Sequence, residues 1–255
     1  MLGKNYVQRY GLGWPRTTDA ASMHLACIRK GGAWKDQQGR QVGGGMFHHM
    51  QEFMKLVWPE FLWQKGPYTN YWAEKILETW IEAQYLGLMG CASAGKSAAI
   101  AAIVLTDWYA FPDCTTTIVT STDLKSLERR IWGNIKDFHR KARAARDWIP
   151  GHLVEGKQMI IRDHRTEFEE GRNFKNGLMG APTLKGSQFV GLGPFIGLHN
   201  KRVRLIADEA NLCPRSYLDA SSNLAKCEDF KLAALGNPNE TTNAHGIICE
   251  PSQEL

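Results

Sequence analysis

The sequence predicts an α/β fold: a mostly parallel sheet flanked by helices, with a small helical or irregular part at the N-terminus. Three observations predict it. From Tyr85 onward, short apolar or β-branched runs alternate with helical stretches, the pattern of a parallel sheet covered on both faces. A glycine-rich turn joins the first of these runs to a helix. A later apolar run ends in two carboxylates, Asp208 and Glu209. The last two features suit the carboxyl ends of parallel strands, where open α/β sheets bind their ligands.

The elements follow in order. Met1 to about Gly45 holds Gly-Gly at 31–32 and Gly-Gly-Gly at 43–45 with little periodicity, and reads as loops and short elements. A helix is predicted from Met46 to about Val57, ended by Pro59. His48 and His49 within it are adjacent and lack the i, i+4 spacing of a helical metal site, so they read as a polar patch beside a glycine-rich turn. Thr69-Asn70 opens a second helix that runs to about Gln84. In it Trp72, Ile76, Leu77, Trp80, Ile81 and Tyr85 recur at helical spacing and read as core. The division is set near residue 60: an extension over 1–60 and the main domain over 61–255.

Tyr85 to Met89 is a short apolar strand. Ser97 to Trp108 is a helix apolar nearly all round, hence buried. Thr115 to Thr120 is β-branched and forms the next strand. Leu124, Leu127, Ile131, Ile135 and Phe138 mark one face of a single long helix from Asp123 to about Trp148. Its Arg129, Lys136, Arg140 and Arg143 are interrupted by Glu128 and Asp137, which suits a solvated face better than a DNA contact. Lys157 to Arg162, Asn176 to Ala181, Val203 to Ala207 and Phe230 to Leu235 read as further strands. Pro214 suits the first position of a helix reaching about Ala225.

Composition removes several classes. With 43% hydrophobic and 22% charged residues over 255 positions, the chain is not wholly disordered. The longest apolar run, Ala98 to Leu105, is far short of the ~20 residues of a membrane helix, and the first residues lack the apolar core of a signal peptide. Six cysteines without a CxxC spacing read as reduced packing thiols of an intracellular protein. Lys plus Arg is 31 and Asp plus Glu 26, a net charge of +5 that permits a nucleic-acid partner without demonstrating one.

The segment Gly90-Cys91-Ala92-Ser93-Ala94-Gly95-Lys96-Ser97 fits G-x-x-x-x-G-K-[ST] at every fixed position, between an apolar strand and a helix. Each residue type answers a chemical need. Gly90 and Gly95 allow a tight turn whose N–H groups ring a phosphate. The helix start adds free N–H groups and the positive end of the dipole. Lys96 reaches the β- and γ-phosphates, and the Ser97 hydroxyl is a hard ligand for Mg²⁺. Gly191-Leu192-Gly193-Pro194, by contrast, lacks the GxGxxG spacing and reads as a plain loop.

Val203-Arg204-Leu205-Ile206-Ala207-Asp208-Glu209 has the pattern of a strand whose end holds a metal through Asp208 and activates water through Glu209. Arg204 interrupts this apolar run and is assigned to the beginning of the strand, facing away from the sheet core. Leu235-Gly236-Asn237-Pro238-Asn239 follows the last strand; there Asn237 suits a sensor of the γ-phosphate and Asn239 a turn.

Together, GCASAGKS at 90–97, TTTIVTST at 115–122, LIADEA at 205–210 and LGNPN at 235–239 resemble the ATPase domain of tailed-phage terminase large subunits. The resemblance covers about Tyr85 to Pro251. It implies a P-loop NTPase of the additional-strand (ASCE/RecA-like) type that hydrolyses ATP with Mg²⁺ and drives double-stranded DNA into a procapsid. It gives Lys96, Ser97, Asp208 and Glu209 nucleotide roles, and it puts Asn237, Thr120 and Thr122 in segments linking ATP state to DNA. It further implies a portal protein and a small terminase subunit as partners, a homo-oligomeric ring (a pentamer), and a site of action in the host cytoplasm at the portal.

Three features depart from the family or stay open. Many members carry an arginine in the phosphate loop where this chain has Ala92. A transition-state charge must then come from elsewhere, and an arginine from a neighbouring subunit is the natural substitute. Arg202, Arg204, Arg129 and Arg130 are candidates, with plain surface charge the competing reading for each. Family members often place an adenine-binding glutamine upstream of the loop; Gln64 and Gln84 both qualify, and both also read as helix-surface residues. Complete large subunits continue into a nuclease domain, whereas this sequence stops at Leu255, so a motor portion without nuclease activity is expected. A helicase-like ring ATPase and a nucleotide-dependent switch remain the alternatives.

Overall fold

A computed structural model of the chain describes residues 19–32, 44–60, 71–162, 176–183, 200–237 and 242–250. The expectations for Gln64, the Thr69-Asn70 helix start, the Trp72 side chain, the Gly191–Pro194 loop and Asn239 fall outside what is described.

The helices are α1 Ala20–Arg29, α2 Gly45–Val57, α3 Tyr71–Glu82, α4 Lys96–Ala110, α5 Leu124–Arg129, α6 Ile131–Ala145, α7 Ser216–Leu224 and α8 Ala244–Cys249. The strands are β1 Tyr85–Met89, β2 Thr115–Thr120, β3 His152–Val154, β4 Met159–Ile161, β5 Gly177–Gly180, β6 Arg202–Ala207 and β7 Asp229–Gly236. They form one sheet in the order β1-β7-β6-β2-β5-β4-β3. The five strands from β1 to β5 are parallel neighbours, and β4 and β3 extend that edge antiparallel. The expected mixed α/β fold with a central, mostly parallel sheet is what the chain forms.

Two apolar clusters sandwich the sheet, and strand periodicity allots residues to them. On β7, Ala233 and Leu235 join one cluster while Leu232 and Ala234 join the other. The larger cluster is built on α4, buried from Ala99 to Ala110 as its all-round apolarity requires. Phe53, Met54 and Trp58 pack there, as do Ile76, Leu77 and Trp80 of α3. The smaller cluster holds Tyr217 and Leu224 of α7 and Ala244 at the start of α8.

Four expectations change. The first 45 residues contain a regular helix, α1, capped by Asp19, whose carboxylate accepts from the Ala21 N–H. The single helix from Asp123 to Trp148 is two, broken at Arg130, where φ −111 and ψ −103 leave helical space. Leu124 consequently turns outward, while Leu127, Ile131, Ile135 and Phe138 stay buried. Pro214 lies in the turn before α7, which begins at Ser216. Two short elements, β3 and α8, went unread.

Arg204 requires the largest correction. It is fully buried on the α4 face of central strand β6, not turned away from the sheet core. It donates to Asp107 of α4 at 2.9 Å and to both Asp229 carboxylate oxygens. Arg202 shares both carboxylates and stacks over Phe111. Burial alone would lower the Arg204 pKa; the two carboxylates outweigh it and raise it. An internal ion cluster therefore holds α4 to β6 and β7.

Candidate nucleotide-binding site

The parallel strands converge on one rim. β1 ends at Met89, and the turn over 90–95 leads into α4 at Lys96. The backbone is bent as the motif requires: Ser93 (φ 61) and Gly95 (φ 81) are left-handed, and glycine tolerates this at no steric cost. The Gly90 N–H donates to Gly236 O at 3.3 Å, tying the loop to the end of β7. The Lys96 ammonium donates to Gly90 O (2.7 Å) and Cys91 O (2.8 Å), so it lies folded over its own loop.

At the end of β6, the Asp208 N–H donates to Thr120 O at 2.9 Å. This bond holds the carboxylate beside the phosphate loop, and the Ser97 hydroxyl donates to Asp208 Oδ1 at 3.0 Å. Asp208 Oδ2 is buried with no hydrogen-bond partner among the described residues. Burial raises the Asp208 pKa; the Ser97 bond opposes this and the Glu209 charge adds to it. A buried carboxylate with a free oxygen beside a hydroxyl is a donor set suited to a hard divalent cation.

Glu209 has a left-handed backbone (φ 55) and forms an ion pair with Arg130 of the same chain. A non-glycine residue with positive φ is uncommon, and the position is worth relating to function. Ala210 N–H to Leu235 O (2.7 Å) fixes the turn that follows.

A cavity of about 400 Å³ lies between these parts, lined by the loop from Ala92 to Ala98, Asp208, Glu209 and Asn237. Of the predicted site residues, Ser93, Ala94, Gly95, Lys96 and Ser97 also line it, while Gly90 and Cys91 form the turn behind. The Asn237 N–H donates to Asn211 Oδ1 at 3.3 Å. Thr120 meets Asp208 through its backbone, its side chain buried. The Thr122 hydroxyl donates to Asp123 instead.

The arginine candidates separate clearly. Arg202 and Arg204 are committed to Asp107 and Asp229, which removes both as arginines offered to a neighbouring subunit. Arg129 is exposed. Arg130 lines the cavity of its own chain. Gln84 precedes β1, at the opposite end of that strand from the phosphate loop. Among the lining residues that the sequence did not single out are Asn134 and, two and three positions past Glu209, Asn211 and Leu212. Only the short spacing of the last two from the acidic pair signalled them.

No family model matches the chain, and no curated protein matches it in sequence. Solved structures similar to it include two large terminases. The Thermus phage P74-26 large terminase ATPase domain is 16% identical, over 74% of this chain and 70% of that one, with a TM-score of 0.49. The HK97 bacteriophage large terminase is 11% identical over 72% of this chain, with a TM-score of 0.49, and this chain spans 36% of its length. At these values neither structure assigns a role to any residue of this chain.

Proposed function

We propose that the chain is an ATP-hydrolysing motor domain of a terminase large subunit, moving double-stranded DNA into a viral procapsid. On this reading residues 61–255 are the ATPase unit and 1–60 an extension, of which helices α1 and α2 pack into the larger core with α4. One observation carries the nucleotide chemistry: Ser97 of the phosphate turn and Asp208 of a strand 111 positions away meet at 3.0 Å, on a cavity shared with Lys96 and Glu209. Strand β7 lies between β1 and β6, the interposed strand that the additional-strand reading calls for. Support for DNA packaging is the ordered series GCASAGKS, TTTIVTST, LIADEA and LGNPN. A portal protein, a small subunit and a ring of five copies at the portal in the host cytoplasm belong to the same reading.

Ser97 and Asp208 fit Mg²⁺ through the hydroxyl and the unpartnered carboxylate oxygen. Bound there, the ion would neutralise charge on the β- and γ-phosphates. Lys96 exchanges the Gly90 and Cys91 carbonyls for phosphate oxygens. Glu209 takes a proton from water as the water oxygen bonds to the γ-phosphorus. The bond from that phosphorus to the bridging oxygen breaks, and ADP leaves. Asn237, at the cavity rim, senses whether the γ-phosphate is present.

Arg130 holds Glu209 in the present state, so the pair must open before Glu209 can act. The same pair favours a second reading, a switch that binds ATP and hydrolyses little. Steady-state turnover decides between them. Glu209→Gln should lower kcat by roughly 10²–10⁴-fold while ATP still binds. Equal, near-zero rates in both proteins would support the switch. Strand separation on a forked duplex would favour a helicase.

A further inference from the structure

Helices α1 and α2 bring three histidines together. His24 comes from α1, and His48 and His49 from α2. Nitrogen ligand atoms of all three lie within 4.8 Å of one another. His24 Nδ1 and His49 Nδ1 are 3.0 Å apart, across 25 positions of sequence. The rings contact one another with centroids 5.2 to 5.9 Å apart. Glu52 lies one helical turn after His48, its carboxylate held by Lys55 at 2.9 Å.

We propose that His24, His48 and His49 bind one Zn²⁺, which clamps α1 to α2, with Glu52 or water as the fourth ligand. The chemistry suits the ion: imidazole nitrogens favour zinc and its neighbours over Mg²⁺. Two nitrogens that bind one zinc at about 2.05 Å stand about 3.3 Å apart in a tetrahedron, close to the His24–His49 spacing. His48 is half-buried and closes the set by rotating its side chain.

Two further features support the site. His49 is 1% exposed, so the fold itself walls the site on that side. Gly44 leaves room for the ring of His48, since a Cβ there would lie 2.3 Å from its Cγ. Burial, with the nearby His48, lowers the pKa of His24 to about 4; burial and both neighbouring histidines do the same for His49. Arg29, at the end of α1, donates to the Tyr109 and Ala110 carbonyls. A clamp on α1 thus also braces the far end of α4, the helix that begins in the phosphate turn.

Zinc and, as an optical probe, Co²⁺ are titrated into the whole chain with Mg²⁺ in excess to fill the oxygen site at Asp208. Equilibrium dialysis should give one zinc per chain, with a rise in Tm, and Co²⁺ should give the strong visible absorption of a tetrahedral nitrogen site. His48→Ala should weaken zinc binding roughly 100-fold or more and abolish the Tm rise. It should leave the metal-free Tm and circular dichroism near wild type. His48→Gln provides the same reading should the alanine variant misfold. Zinc uptake equal in wild type and variants, uptake abolished by excess Mg²⁺, or no uptake at all would overturn the site. Each outcome is independent of the nucleotide reading.

Discussion

On the proposed reading, Arg130 is placed to supply the charge that the phosphate turn lacks. The turn has no cation before Lys96, and a triphosphate cleaved there needs positive charge on its transferring group. Arg130 lines the cavity from the same chain and already sits on Glu209. Once nucleotide fills the cavity, its guanidinium can leave the carboxylate for the γ-phosphate, freeing the base and stabilising the charge in one movement. Arg130→Ala should therefore lower kcat by about 10³-fold or more with a smaller change in KM for ATP. Mixing Arg130→Ala with Glu209→Gln subunits should restore no activity, because both residues serve the same chain's site. Recovery in the mixture would put the arginine in a neighbour. The sequence offered four arginines of equal standing, and their separation needed partners far along the chain: Arg204 meets Asp107 from 97 positions away. The phosphate turn and the acidic pair were legible because their chemistry is written in contiguous residues.

Elements were legible where one physical rule dominates. Buried parallel strands appear as unbroken apolar or β-branched runs, so β1, β2, β6 and β7 were readable. The break at Arg130 was not, because Leu127, Ile131 and Ile135 keep helical spacing across it. At that break an added Cβ on Gly133 would lie 3.0 Å from the Glu128 carbonyl oxygen, so the small residue permits the close turn. Short β3 and α8, at 3 and 6 residues, are below what periodicity resolves. The end of α3 shows a further long-range device. Lys231 on β7 donates to the carbonyls of Trp80, Ile81 and Ala83, satisfying the acceptors a helix leaves unpaired at its C-terminus. The Lys231 pKa is lowered by burial, then by the nearby Arg204 charge. Lys231→Met keeps the stem and removes the donors, leaving half-buried carbonyls unmet. It should cost about 1–3 kcal/mol in urea unfolding at unchanged m. A loss below the error of that measurement would mean that water replaces the ammonium.

Across the described molecule, buried histidines are held below their ordinary pKa, His245 among them, and the three largest of these shifts predict how stability depends on pH. Burial lowers His24, His49 and His139 to about 4 from an ordinary 6.5. His139 packs in the larger core, its Nδ1 2.8 Å from the Tyr109 hydroxyl, with the Arg143 and His152 charges lowering its pKa further. Between pH 6.5 and 4 the unfolded chain binds protons on these rings that the folded chain refuses. Stability must then fall as pH falls through that window, by up to about 1.4 kcal/mol per pH unit for each ring. Asp229 works in the same direction lower down. Burial would raise its pKa, but the Arg204 bonds hold it below the usual range, and the stabilisation it gives is lost as that carboxylate protonates. Raised Asp208 opposes both, since its folded form takes up a proton more readily than the unfolded chain does. The urea midpoint, measured with a chelator present, should hold steady above pH 7 and drop steeply from 6.5 toward 4. His139→Phe should flatten that slope by about one proton's worth. The three rings lie on the helical side of the sheet, away from the phosphate turn, so the loss should be equal in wild type and Glu209→Gln. A midpoint that stays level down to pH 4 would mean that these rings are hydrated in the folded chain, and that α1, α2 and α6 pack more loosely than their contacts indicate.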